Sequence, residues 1–348
     1  MKNPMKIIVV ILSLLIINYS LYGNDLADQL AKVGVKNVQN YVTPIFNGFG
    51  ADLNSGFYHS ADLHDILGFD VGIKIALAIT KDADKKYTFL TPDSIAILNP
   101  TGIGPSTIYL KAGEDYDAEV PDAPTALGSN NANLYVKMLR SKTNPVKQAI
   151  YDTLVARRGN NNLFPIPNGF NLPATMLPIP QVALGLPFGI EVIGRFIPTI
   201  SSKDVGKFNY MGFGIRYDVD QHIPLCPVDI ALHLVTQKMN FKSKDDKDVF
   251  KATGTAFGAE ISKKLVFLTL YGGFQIESSS FTLSQIEGEF KTEFGNIPFT
   301  IPETTYKGKN KTRFNAGLRL LLGLFNIHAD YSVAKSPVIT AGLGVSFR

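Results

Sequence analysis

Two-residue alternation of apolar with small or polar side chains, repeated along the sequence, is the feature that most restricts what this chain can fold into. From Leu67 to Thr80 the odd positions are Leu67, Phe69, Val71, Ile73, Ile75, Leu77 and Ile79, and the even ones are Gly68, Asp70, Gly72, Lys74, Ala76, Ala78 and Thr80. A period of two puts successive side chains on opposite faces of a strand. The pattern returns from Phe325 to Val333 and again from Ile339, where Ile339, Ala341, Leu343, Val345 and Phe347 oppose Thr340, Gly342, Gly344, Ser346 and Arg348. Between Arg313 and Leu322 the row Phe314, Ala316, Leu318, Leu320, Leu322 faces away from Arg313, Asn315 and Arg319. Further rows run through 182–196, 211–219, 230–234, 253–261 and 266–276.

The character of the two faces separates a soluble sheet from a membrane one. Here the apolar face is uniform, and the opposite face is Gly, Ala, Ser and Thr with isolated charges. That asymmetry suits a wall with lipid outside and a polar interior, because bilayers admit only helices and closed barrels. Segments of about ten to fourteen residues, parted by short turns such as Lys335-Ser336-Pro337, match tilted spanning strands. The expectation is an all-β, antiparallel transmembrane β-barrel of about twelve to fourteen strands with a short helical amino-terminal segment. A soluble β-sandwich or lipid-binding barrel, with the apolar rows as core, is the alternative.

Lys2 and Lys6 precede an apolar run from Ile7 to Ile17, and Asn18 to Gly23 form a short tail. This reads as a secretory signal peptide cleaved after Gly23, since the run is shorter than the ~20 residues that cross a bilayer as a helix. The sequence therefore divides into a leader (1–23), an amino-terminal segment (24–66) and a barrel (67–348) containing a long loop region at about 99–180. A leader followed by a barrel places the protein in the outer membrane of a Gram-negative-type bacterium. Its expected partners are outer-membrane lipid and the barrel assembly machinery. With 34 Lys and Arg against 30 Asp and Glu, no nucleic-acid partner is expected. A chain 45% apolar and only 18% charged is too greasy for disorder. The single cysteine, Cys226, excludes an internal disulfide, a cysteine zinc cluster and an iron–sulfur site.

Two stretches depart from the strand rule. Residues 25–60 open with a helix expected around Asp25 to Val38 and continue through a glycine-punctuated stretch ahead of the first clear strand. Tyr41, Phe46, Gly48, Phe49, Gly50 and Phe57 mark it as a plug that folds into the barrel; a periplasmic extension is the competing reading. The region from Asn99 to Pro180, rich in Pro, Gly and Asn, reads as long extracellular loops. Inside it Asn144 is placed to cap a helix with Pro145 in its first turn, Ile150 and Leu154 on one side, and Gly159 as its stop.

Candidate chemistry is sparse. His328, Asp330 and Ser332 share one strand face, but i and i+2 neighbours stand ~7 Å apart, whereas a nucleophile and its base need about 3 Å. The histidines at 59, 64, 222, 233 and 328 lack chelating spacing. Glu114, Asp115, Asp117 and Glu119 read as a solvated acidic loop, and Asp245, Asp246 and Asp248 as a hairpin tip. No enzymatic activity, metal or other cofactor is expected. The charges on the polar strand faces are more informative: Asp70, Lys74, Glu191, Arg195, Arg216, Asp218, Glu260, Arg313, Arg319 and Asp330, with His328 beside them. Both signs are interspersed, so they can pair across strands in a lumen network.

The block from Tyr41 to Asp70, with Leu53-Asn54-Ser55-Gly56-Phe57-Tyr58 and Leu67-Gly68-Phe69-Asp70, resembles an uncharacterised bacterial outer-membrane β-barrel family, domain of unknown function 6588. Gly212-Phe213-Gly214-Ile215-Arg216-Tyr217-Asp218-Val219, Ile261-Ser262-Lys263-Lys264-Leu265 and His328-Ala329-Asp330-Tyr331 carry the same resemblance. It implies a secreted β protein without an assigned activity. In architecture alone the chain is similar to the long-chain fatty-acid transport porins, which pair an amino-terminal plug with a barrel. The functional expectation is passive transport of a small or amphipathic solute, hydrophobic or polar. A structural or surface-interaction barrel with a sealed lumen is the alternative, and an outer-membrane lipid hydrolase a distant third.

Overall fold

The computed structural model describes residues 35–347 apart from 100, 103, 203–205, 244, 293 and 294. The leader at 1–23 and the start of the helix expected around Asp25 lie outside the described residues. The helix that is described, α1 (Val35–Leu53), continues through Pro44 to Leu53, where glycine-punctuated coil was expected.

Strand β1 (Phe69–Ile79) is followed by six short strands: β2 (Lys86–Leu90), β3 (Ser94–Leu98), β4 (Thr107–Lys111), β5 (Glu119–Pro124), β6 (Tyr135–Lys137) and β7 (Asn162–Pro165). Six long ones come next: β8 (Ala174–Leu186), β9 (Ile190–Ser202), β10 (Gly206–Asp218), β11 (Asp229–Lys242), β12 (Asp248–Leu265) and β13 (Leu268–Leu283). Then come β14 (Ile286–Thr292), β15 (Gly295–Ile301), β16 (Thr304–Lys307), β17 (Thr312–Leu322), β18 (Phe325–Val333) and β19 (Val338–Phe347). Antiparallel pairing runs β12-β11-β10-β9-β8-β1-β19-β18-β17-β13, and β12 pairs back onto β13, which closes a barrel of ten strands with β16 attached outside it. The expected twelve to fourteen strands are thus too many. The row at 182–196 is two strands joined by a turn at 187–189. The short strands β2–β7 and β14–β16 pair among themselves or as a flap on β13.

The first strand meets the last along a seam from Phe69↔Phe347 to Ala78↔Val338. Closure leaves no open edge in the wall. Outward positions carry the apolar rows: Val71, Val182, Phe196, Met211, Leu234, Phe257, Ile276, Phe314, Ile327 and Leu343 are all exposed. Among the described residues no helix is long and apolar enough to cross a membrane.

The two barrel ends differ. At one, which we call the turn end, lie the turns at 187–189, 266–267 and 323–324, the loop at 219–228, and the outer termini of β1 and β19. At the other lie the connections 80–173 and 284–311. The first of these is not a set of loops as expected but a folded hood with its own core of Phe89, Ile95, Ile97, Leu110, Val136, Met138, Ile150, Leu154, Leu163 and Phe164. Helix α2 (Pro145–Arg158) forms as the sequence dictates: the Asn144 side chain accepts from Val146 N and Lys147 N, and Gly159 closes the helix at φ 72°. The acidic stretch is solvated at Glu114 and Glu119, as expected, but not throughout. Asp115 is buried in the hood, accepting from Lys147 Nζ at 2.5 Å and from Lys111 N at 2.8 Å. Beside it Tyr116 donates to Pro92 O at 2.5 Å, and burial pushes its hydroxyl pKa up, which keeps it a donor.

The apolar belt yields a direct test. Leu343→Arg sets a charge against lipid and is expected to cost roughly 2–4 kcal/mol of folding stability. Thr253→Arg, in the outward Ser/Thr row nearer the hood, should cost less than about 1 kcal/mol. Denaturant unfolding in lipid vesicles checks the ordering; equal costs would contradict the placement of the belt.

Candidate functional site

The lumen holds the amino-terminal segment, and the segment runs through it in one direction. Asn37, near the start of α1, exchanges hydrogen bonds with Leu90 of the hood, its Nδ2 donating to Leu90 O at 2.7 Å and its Oδ1 accepting from Leu90 N at 2.8 Å. Further on, Asn47 Oδ1 accepts from Lys309 N at 3.0 Å, still at the hood end. Phe57 then lies beside Gln181, and Leu67 N donates to Gly185 O at 3.0 Å, at the turn end, where β1 begins. Residues 35–66 therefore descend the whole barrel.

The upper half is held by apolar packing. Val38, Tyr41, Val42, Ile45 and Phe46 are buried against Ala126, Leu127 and Phe170 of the hood and Ile197, Tyr210, Met239, Ala252 and Phe281 of the inner wall. The inner wall is therefore apolar near the hood, against the expectation of a polar lumen throughout. Phe46 stacks on Phe281 with ring centroids 4.9 Å apart, and full burial of such a side chain is worth about 1.5–3 kcal/mol.

Below Leu53 the helix ends and the bonding changes. The departing backbone carbonyls need donors, and inward side chains of the wall supply them. Arg313 Nη2 donates to Ala51 O at 2.8 Å. Gln237 Nε2 donates to Leu53 O at 2.7 Å, and Arg195 Nη1 reaches the same oxygen at 3.2 Å. Gln275 Nε2 donates to Asn54 O at 2.8 Å, Arg195 Nη2 to Ser55 O at 2.9 Å, and Gln181 Nε2 to Phe57 O at 2.9 Å. Arg216 Nη2 donates to Ser60 O. Asn54 Nδ2 returns a bond to Ser278 O at 3.0 Å. The wall grips the segment chiefly by its backbone. Gly56 adopts φ +67° here, and a Cβ on it would sit 2.8 Å from Thr340 Cγ2.

Carboxylates then hold two of the gripping arginines, Arg216 and Arg313, whereas Arg195 donates to Gln181 Oε1 at 2.9 Å and Gln237 Oε1 at 3.1 Å. Arg216 Nη1 donates to Glu191 Oε1 at 2.5 Å, and its Nε and Nη2 both reach Glu260, which also meets His233 Nδ1 at 2.9 Å. Arg313 Nε donates to Glu277 Oε2 at 2.8 Å. Two histidines of the segment join in: His64 Nδ1 lies 2.6 Å from Glu191 and His59 Nε2 3.2 Å from Asp70. Asp70 also accepts from Asn326 Nδ2 at 2.7 Å and Ser346 Oγ at 2.9 Å, and Ser346 accepts from Arg319 Nη2 at 2.9 Å. Asp330 accepts from Tyr271 at 3.1 Å and His328 Nδ1 faces Asn326 Oδ1 at 3.1 Å, so His328, Asp330 and Ser332 form no nucleophilic relay.

Of the sequence-chosen charges, Asp70, Lys74, Glu191, Arg195, Arg216, Glu260, Arg313, Arg319, His328 and Asp330 are buried and inward. Asp218 is not in the network; it ends β10 at the turn end, where it accepts from Gln221 N at 3.2 Å. The plug residues Tyr41, Phe46, Gly48, Gly50 and Phe57 are buried, and Phe49 is half-buried. Sequence reasoning missed Gln181, Gln237 and Gln275, whose inward parity was the available signal. One seam is less satisfied: Lys74 Nζ, His59 Nδ1, His328 Nε2 and Thr340 Oγ1 are buried without a protein hydrogen-bond partner. Lys74 and His328 flank Gly342 in register. Thr340 packs on Gly56, so a bulkier inward side chain at 340 would collide with the segment. Between the segment and β13, β17 and β18 lies a cavity of about 10 Å³, the size of one water.

Ten antiparallel strands closed on themselves, a lipid-type outer face and a lumen polar in its lower half define an outer-membrane-type β-barrel occupied by its own amino-terminal segment. The chain belongs to the Family of unknown function (DUF6588), whose model matches residues 1–347. No functionally curated protein matches it. Among solved structures it is similar to Ail, the attachment invasion locus protein of Yersinia pestis, at 15% identity over 45% of this chain and 95% of that one, with a TM-score of 0.24. The translocator domain of the autotransporter NalP from Neisseria meningitidis matches at 11% identity over 91% of this chain and 99% of that one, with a TM-score of 0.25. The β domain of the Bordetella autotransporter BrkA matches at 14% identity over 49% of this chain and 91% of that one, at 0.23. Likenesses this loose carry no argument about function.

The bonding makes the wall residues unequal. Arg216→Met leaves Glu191 and Glu260 buried without their cation and is expected to cost about 3–5 kcal/mol. Lys74→Met removes an ammonium that has no hydrogen-bond partner, and should cost less than about 1 kcal/mol or stabilise. Unfolding midpoints of the two variants check this; the reverse order would contradict the assignment.

Proposed function

We propose that this protein is a sealed outer-membrane barrel that anchors the folded hood at the cell surface, so that the hood and not the lumen is its working surface. The observation that carries this reading is the occupation of the inner wall. Arg195, Gln237, Gln275, Arg313 and Arg216 all donate to the segment's carbonyls, and each is at most 5% exposed. A water-filled pore would instead leave such side chains wet. Short turns face the periplasm and long connections the exterior in barrels of this kind, which puts the hood outside. In this reading the chain is exported by its leader, meets lipid at its apolar belt, is inserted by the barrel assembly machinery, and performs no catalytic step.

Passive transport of a small solute is the second reading. The seam of Lys74, His59, His328 and Thr340 favours it, because unsatisfied polar groups beside the segment mark where a narrow polar path would open. Transport would require the segment to move.

Reconstituted vesicles separate the two. A Cβ built on Gly50 lies 3.1 Å from Ser279 Cβ, near the ~3.5–4.5 Å of a disulfide, so Gly50→Cys with Ser279→Cys, in a Cys226→Ser background, staples α1 to β13. The sealed reading expects vesicles tight to small solutes whether the staple is oxidised or reduced, and leaky once residues 35–60 are deleted. Solute passage by the reduced protein that stops on oxidation would overturn it in favour of transport.

A further inference from the structure

The direction in which the segment runs has a topological consequence. Residues that follow one another along the chain meet wall positions in steady order from hood end to turn end: Gly48 packs on Thr175, Phe57 on Gln181 and Leu67 on Gly185, all on the one strand β8. The wall partners on β1 give the same sense, with Gly56 against Lys74 and His59 against Asp70. The segment then turns directly into β1, which climbs back toward the hood. Asn37 and Tyr41 are tied to hood residues, Tyr41 OH donating to Asn168 O at 2.8 Å and Ala126 N donating to Tyr41 O at 3.0 Å. Gln39 and Asn40, on the other face of the helix, are exposed.

We infer that the segment enters the barrel at its outer mouth, so that the start of α1 lies at the cell surface beside the hood, and that the wall closes around a segment already lying in the lumen. The inference rests on the hood facing outward, as in the proposed function. Its second half follows from the seam. The segment is continuous with β1, and β1 pairs with β19 far along the chain, so the barrel stays open until β19 has been made. Threading afterwards would drive Val38 and Tyr41, at most 1% exposed beneath the hood, past a wall whose lower lumen is filled by paired arginines and carboxylates. Laying the segment against β8 and β13 before the β1–β19 seam forms avoids that passage. The barrel thereby presents the hood and the start of α1 side by side at its outer mouth.

Single cysteines in a Cys226→Ser background test this in intact cells with a bulky polyethylene-glycol maleimide that does not cross the outer membrane. Asn40→Cys reports the start of the segment, Lys142→Cys the hood, and Leu225→Cys, at a site 99% exposed in the turn-end loop, the opposite end. The expected result is gel-shifting of Asn40→Cys and Lys142→Cys in intact cells, and of Leu225→Cys only after the outer membrane is broken. An epitope inserted ahead of Val35 and read by antibody on intact cells gives the same answer should neighbours shield position 40 from the reagent. Protection of both amino-terminal reporters while Lys142→Cys reacts would overturn the inference and leave the orientation standing. Reaction of Leu225→Cys with protection of Lys142→Cys would instead overturn the orientation itself.

Discussion

A backbone carbonyl at membrane depth has no bulk water to accept from, and leaving it unpaired costs several kcal/mol. That constraint organises the inside of this protein. Once α1 ends at Leu53, the chain must cross the rest of the lumen as irregular backbone, and the wall answers with a donor at almost every step: Arg313, Gln237, Arg195, Gln275, Gln181 and Arg216. The arginines bring charge with them, which is why Glu191, Glu260 and Glu277 line the same faces. These carboxylates hold Arg216 and Arg313 in place, so that neither desolvated cation stands alone, while Arg195 is held by the amide oxygens of Gln181 and Gln237.

The division of the lumen into an apolar upper half and a polar lower half follows from the same requirement. A helix satisfies its own backbone, so α1 can be surrounded by Ile197, Tyr210, Met239 and Phe281 without polar help. Extended chain cannot, so the wall changes character where the helix stops. The hood completes the upper half by covering the helix start, and its separate core lets it keep shape above the membrane.

Much of the wall was legible in the sequence because a strand with lipid on one face obeys a strict period of two, as in Phe69 to Ile79 and Val338 to Phe347. The inward charges were legible for the same reason: a Lys74 or Arg319 on the small-residue face of such a row has nowhere else to point. Strand number was not legible. Apolar rows across 182–196 hid a turn at Pro187-Phe188-Gly189, and the hood's short strands share composition with loops. Nor was the length of α1 readable, since Pro44 and glycines at 48 and 50 are poor helix residues that tertiary packing overrides; bulkier side chains at 48 and 50 would strike Thr175 and Ser279. The glutamines escaped notice because inward parity is their one mark in the sequence and the carbonyls they serve lie far away along the chain.

The central claim is that the segment from Ala51 to Ala61 is sealed inside the wall and gripped by it. Amide hydrogen exchange of that segment, followed by mass spectrometry on the protein folded in lipid vesicles, measures this most directly. Irregular chain open to water exchanges its amides within seconds to minutes. The account predicts protection through residues 51–61 comparable to that of β1 and β19, lost together with the wall on global unfolding. Rapid exchange of 51–61 while the strands stay protected would contradict it.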